Sequence, residues 1–253
     1  MRRVLIGSGF VIFTALFIMS GTRVLGWYLE SRQSQQEFVQ VAELVNNKVP
    51  SAELSGKAEE PTELTILEQY SAVYEQNNDF VGWITIADTK IDYPVMQSAD
   101  DPDFYLKHNF EKEYSAYGVP YVQADCDILT SDNLVIYGHH MKDDSMFAEL
   151  CKYTDVEFYN GHKTFRFDTK YSYGTYEIVA VFKTTSSDDG FAFHHFVDAE
   201  DEQAFNDFIT ACKELSLYEI ETTAQYGDRL ITLSTCEYTR TNGRMVVVAK
   251  RIA

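Results

Sequence analysis

The sequence predicts a mainly β domain, a closed barrel or a sandwich with peripheral helices, preceded by a transmembrane helix. Three observations predict it. From Phe80 onward, short runs rich in Val, Ile, Tyr and Phe alternate with turn-forming clusters. Only two helical patterns interrupt that texture. The amino terminus carries an uncharged run flanked by arginines.

That first run extends from Val4 to Thr22, between Arg2-Arg3 and Arg23. As a helix it measures roughly 28 Å, close to the hydrocarbon thickness of a bilayer. Trp27 and Tyr28 follow at the depth where amphipathic aromatics settle. The paired arginines favour a cytoplasmic amino terminus. A cleaved signal peptide fits less well, because the run is long and no A-x-A site follows. The expected organisation is a cytoplasmic tail at 1–3, a membrane anchor at 4–22, an extracellular helix and linker at 23–63, and the main folded domain at 64–253. The protein is expected at the cell membrane, single-pass, with that domain outside.

Residues 29–49 read as a polar helix with one apolar stripe, Phe38, Val41, Leu44 and Val45. The Pro-, Ser-, Gly- and acid-rich residues 50–63 read as a linker, and 64–76 as a second helix. The expected strands are Phe80–Ile86, Lys90–Gln97, Leu134–Gly138, Lys163–Asp168, Thr175–Thr185, Arg229–Thr235 and Met245–Arg251. Strands at this spacing suit a closed barrel or a sandwich. Helices are expected near Met146–Tyr153 and Glu200–Leu215. The second lies in the long connection Ser186–Arg229, whose length points to function.

Apolar content of 45% is enough for a packed core and excludes global disorder. A net charge of -18 argues against nucleic acid as a partner, since phosphate binding needs a basic face. The four cysteines, Cys126, Cys151, Cys212 and Cys236, form no CxxC pair, so neither a zinc site nor a disulfide framework is indicated. Cys151 and Cys212 read as helix-borne core. Cys126, in the acidic segment QADCD, reads as exposed, with a disulfide left open.

The chemistry concentrates on three strand ends. RLITLSTC (Arg229–Cys236) is a β-run ending in a thiol, and strand ends beside loops are rigid platforms for reactive groups. EYTRTNG then makes a turn with an Asn-Gly signal, and Arg244 opens the next strand. Antiparallel neighbours joined this way bring Cys236 and Arg244 side by side. NLVIYGHH (Asn133–His140) runs out through Gly138 into two histidines. Thiol, imidazole and guanidinium together suffice for acyl transfer. A thiolate attacks an amide carbonyl, an imidazolium protonates the leaving amine, and a guanidinium holds the oxyanion.

TLSTC at Thr232–Cys236 followed by Arg244 resembles the signature of sortases, the cysteine transpeptidases of the Gram-positive cell envelope. YGHH at Tyr137–His140 resembles their histidine motif. NNDFVGWITIADTKIDYPVMQ (Asn77–Gln97), DPDFYLKHNF (Asp101–Phe110) and KDDSMFAEL (Lys142–Leu150) look like class B barrel strands and the post-histidine loop and helix. The likeness covers roughly residues 64–252 and implies a closed sortase-type barrel. It implies cleavage of an Asn-Pro-x-Thr-x sorting signal after Thr through a thioacyl enzyme on Cys236. The acyl group then passes to an amine of a peptidoglycan precursor or, in pilin-joining members, to a pilin lysine. The implied partners are surface proteins or pilins with a sorting signal.

By the same resemblance the catalytic histidine is His139, which directly follows Gly138, with His140 a structural neighbour. Met96, Tyr137, Ser234, Thr235 and Glu237 are expected to line the substrate groove. Asp92, where the family often has Asn, places a carboxylate near it. No cofactor is implied. The acidic pairs 100–101, 143–144 and 188–189 raise calcium, which class B members generally do not need, so no metal is expected. Other readings kept open are a hydrolytic cysteine endopeptidase and a non-catalytic membrane-tethered binding domain. Free Cys and His have pKa values of about 8.5 and 6.5. Unless the site shifts them, few molecules carry thiolate and imidazolium together at pH 7, so slow turnover is expected.

Overall fold

The structure, a computed structural model, describes residues 2–46, 64–187 and 190–253. The expected linker at 50–63 and the acidic pair 188–189 lie outside the described residues. Eight strands close a barrel: β1 (Phe80–Thr85), β2 (Asp92–Met96), β3 (Tyr121–Val122), β4 (Asn133–Tyr137), β5 (Thr164–Thr169), β6 (Thr175–Thr185), β7 (Leu230–Glu237) and β8 (Gly243–Arg251). Their order around the wall is β1-β2-β3-β4-β7-β8-β6-β5. The β2–β3 and β4–β7 pairs are parallel and the rest antiparallel. Closure removes the free edges that an open sheet exposes. The sandwich alternative is thereby excluded, and seven of these strands coincide with expected ones.

Strands β6 and β8 carry unbroken buried runs, Ile178–Phe182 and Met245–Ala249. Alternation is lost there because both faces are covered, as in any strand with packing on two sides. One cover is α4 (Glu202–Leu215), which packs on β6 and buries Phe205, Phe208, Ile209 and Cys212. The Phe and Ile side chains among them each contribute about 1.5–3 kcal/mol of burial. The helix begins where the Asp201 side chain accepts from Ala204 N at 2.9 Å, an N-cap.

Two more helices brace the barrel. In α2 (Glu68–Gln76), Tyr70 donates to the buried carboxylate of Asp168 at 2.8 Å. Arg166 at 2.7 Å and Gly174 N at 3.1 Å complete the partners that offset the burial of this charge. A short helix, α3 (Val156–Gly161), follows a 3-10 segment at Ala148–Thr154. That segment stands where the sequence indicates a short helix at Met146–Tyr153.

One continuous helix, α1 (Arg2–Asn46), runs through both the expected span and the expected helix that follows it. Its carboxy-terminal half docks: Phe38 and Val41 are buried, and Phe38 meets the Tyr93 ring edge-on at 5.0 Å. Ser31 donates to Asp143 at 2.6 Å. Among the described residues no helix is long and apolar enough to cross a membrane. The side chains at 1–12, which include half of the expected span, lie outside the described residues.

Candidate active site

The β7–β8 hairpin places the first two groups. Its ladder pairs Cys236 directly with Arg244 and Glu237 with Gly243. Directly opposed residues have Cβ atoms about 4.5–5.5 Å apart on one face. Asn242 has a positive φ of 55°, the left-handed turn conformation that the Asn-Gly pair favours. β4 places the third group. It lies parallel to β7 with Tyr137 opposite Ser234, and Gly138 N donates to Ser234 O at 3.1 Å. A Cβ at Gly138 would fall 2.5 Å from the Phe147 ring, so only glycine lets the chain turn here into His139.

His139, Cys236 and Arg244 all line one cleft of about 600 Å³. His139 Nε2 lies 2.7 Å from Leu106 O. A carbonyl only accepts, so Nε2 carries the hydrogen and Nδ1 remains for proton exchange. Cys236 is half-buried and not in a disulfide. Arg244 Nη1 donates to Gly243 O at 3.0 Å. The Arg244 charge is felt at Tyr121, Tyr137 and His194, which ring the same cleft. Burial raises the Tyr121 and Tyr137 phenols above their ordinary range, so both stay neutral donors. His194 is held below its usual value by burial, His195 and Arg244.

Of the expected groove residues, Tyr137, Ser234 and Thr235 line the cleft. The Ser234 and Thr235 hydroxyls are buried without a partner. Met96 does not line it. It is fully buried, because β2 is covered on both faces beyond Asp92. Glu237 is also outside the lining. Its carboxylate accepts from Lys183 at 3.0 Å and from the Thr239 hydroxyl at 2.6 Å. Asp92 is turned to Trp83 Nε1 at 2.7 Å and the Thr85 hydroxyl at 2.9 Å, because the register sets it opposite Thr85. It therefore does not charge the cleft.

The carboxylates on the wall are instead Asp103 and Asp125, joined by Gln123 and His194 from separate loops. Sequence reasoning missed these four because they reach the cleft through loop packing, with no periodic signal. Cys126 is buried and free, with its thiol 3.5 Å from Asn133 O, and burial pushes it up to about 11. This corrects the exposed reading. Among the described residues no cluster of three or more His, Cys, Asp or Glu side chains is placed to hold a metal ion.

Burial opposes ionisation of Glu237, but the Thr239 and Lys183 hydrogen bonds outweigh it and hold the carboxyl below its usual value. A depressed carboxyl stabilises the fold above its unfolded pKa of about 4.3, and that contribution fades as pH falls through the folded value. Glu237→Gln is expected to cost about 1–3 kcal/mol at pH 7 and less at pH 3, where the unfolded carboxyl is already protonated. Urea midpoints at the two pH values check this.

A thiol at one strand end, paired with a guanidinium and joined by an imidazole at a common cleft in a closed barrel, defines the equipment of a cysteine acyl-transfer enzyme. Comparison with known proteins agrees. A family profile described as Sortase domain matches residues 84–252. Sortase B of Listeria monocytogenes is 34% identical, over 96% of this chain and 94% of the relative. Sortase B of Bacillus anthracis superposes with a TM-score of 0.75 at 30% identity, covering 89% of this chain and 99% of that one. A Staphylococcus aureus sortase B–substrate complex gives 0.74 at 30% identity, over 88% and 98%. The chain belongs to the sortase family. It is a class B sortase, a cysteine transpeptidase.

Proposed function

We propose that this enzyme cleaves an Asn-Pro-x-Thr-x sorting signal after Thr on Cys236 and transfers the protein to an amine of a cell-wall precursor. The observation that carries this reading is the direct pairing of Cys236 with Arg244, with His139 in the same cleft. The Cys236 thiolate adds to the threonine carbonyl, and Arg244 receives the charge that develops on its oxygen. His139, protonated at Nδ1, gives that proton to the leaving amine as the C–N bond breaks and the thioester remains. The incoming amine then adds to the thioester, loses its proton to His139 and expels the thiolate.

The membrane part of the proposal rests on the change of character along α1. Phe13, Phe17, Val24 and Trp27 are exposed, whereas Phe38 and Val41 dock on the barrel. The uncharged run Val4–Thr22 is proposed as a single-pass anchor with the catalytic domain outside. The proposed divisions are 1–3, 4–22, 23–63 and 64–253.

The experiment mixes the protein with sorting-signal peptides, with and without an added amine, and reads products by mass spectrometry. The reading expects a thioester on Cys236 and amide product when amine is present. Peptidoglycan-type peptide and pilin-type lysine peptide serve as separate acceptors. Hydrolysis alone, with both acceptors present, would overturn transfer.

A further inference from the structure

Along β7, the edge facing β4 presents a carbonyl at every second residue, because backbone groups alternate on a strand. Ser234 O on that edge is met by Gly138 N. The β4–β7 ladder has its last pair at Tyr137 and Ser234. The next carbonyl on the edge belongs to Cys236, and β4 has ended before it can supply an N–H. The His140 ring stands in that place, with Nδ1 2.9 Å from Cys236 O. Since the carbonyl has no proton to give, His140 carries its hydrogen on Nδ1, the opposite tautomer from His139.

Three neighbouring residues hold His140 in place. Tyr238, two residues after the nucleophile, donates to His140 O at 3.2 Å and lays its ring against the imidazole at 4.9 Å. Met146 forms a bridge with His140. Cys151 Sγ sits 3.5 Å from Nδ1. Burial pushes that thiol up to about 11, so it remains a neutral contact. Together these contacts tie the loop carrying His139 to the strand end carrying Cys236.

We propose that His140 is a positioning residue. Its imidazole extends the β4–β7 ladder by one bond and fixes the backbone that aims the Cys236 thiol at His139. It acts through Cys236 and exchanges no proton with substrate. This inference rests on the assignment of Cys236 and His139 made above.

The test compares His140→Ala, His140→Asn and His140→Gln with Cys236→Ala and His139→Ala, using the full chain and one sorting-signal peptide. Asparagine Nδ2 is as many bonds from Cβ as imidazole Nδ1, so it restores the donor; glutamine displaces it by one methylene. His140→Ala is expected to lower kcat about 30-fold with KM within about 2-fold, because misplacement by an ångström costs on the order of 100-fold. His140→Asn is expected to recover kcat to within about 3-fold of the parent, keep its pH profile, and exceed His140→Gln by about 10-fold. Should His140→Ala fail to fold, the Asn–Gln difference still decides. Equal impairment of Asn and Gln, parental kcat in Ala, or loss of one pH limb in Asn overturns the proposal. If Cys236→Ala or His139→Ala stays active, the site assignment itself falls, and His140 falls with it.

Discussion

Cys236→Ala is expected to lower turnover at least about 10⁴-fold and to leave no covalent peptide adduct. The magnitude follows from covalent catalysis: without sulfur there is no thioester, and water or amine must attack the amide directly. None of the other cysteines is placed to substitute. Cys126 and Cys212 are buried, and burial raises both thiols well above the ordinary range. Cys151 sits beside Nδ1 of the His140 ring and does not line the cleft. Intact-mass measurement after peptide incubation checks the prediction. An adduct persisting in Cys236→Ala and mapping to Cys151 would move the nucleophile behind the β7 strand.

That the nucleophile was legible in sequence has a simple cause. RLITLSTC and RMVVVAKRI are long apolar runs joined by a turn with Asn-Gly at its end, and register in such a hairpin follows from counting outward from the turn. Cys236 and Arg244 therefore had to face each other. Period two also carries information that was not used: Glu237 follows Cys236 directly, so its side chain leaves on the other face, where Lys183 meets it. Met96 could not be placed by parity, because α1 covers β2 from outside and buries both of its faces. β3 has only two residues, too few for any period, and it brings Tyr121 to the cleft. The 3-10 segment at Ala148–Thr154 read as a helix because its apolar spacing resembles one over so short a length. The role of His140 was invisible for a different reason: it depends on where β4 stops relative to β7, a relation between strands 97 positions apart that no local pattern encodes.

Arg244→Lys is expected to lower kcat about 100-fold, and Arg244→Ala about 10²–10³-fold, with much smaller changes in KM. The argument is geometric. Lysine keeps the charge but replaces a planar fork with a flexible point donor, so the pre-aimed hydrogen bond to the oxyanion is lost. The fork is fixed by its place as the second residue of β8 and by the bond from Nη1 to Gly243 O. Its positive field also reaches Tyr121 and Tyr137, two neutral phenols that cannot take over charge stabilisation. Stabilisation of charge that exists only in the transition state must appear in kcat. Binding of the uncharged substrate carbonyl would appear in KM instead. Steady-state kinetics of the two variants separates these cases. A large rise in KM at unchanged kcat would make Arg244 a substrate-holding group and leave the oxyanion to backbone donors near Cys236.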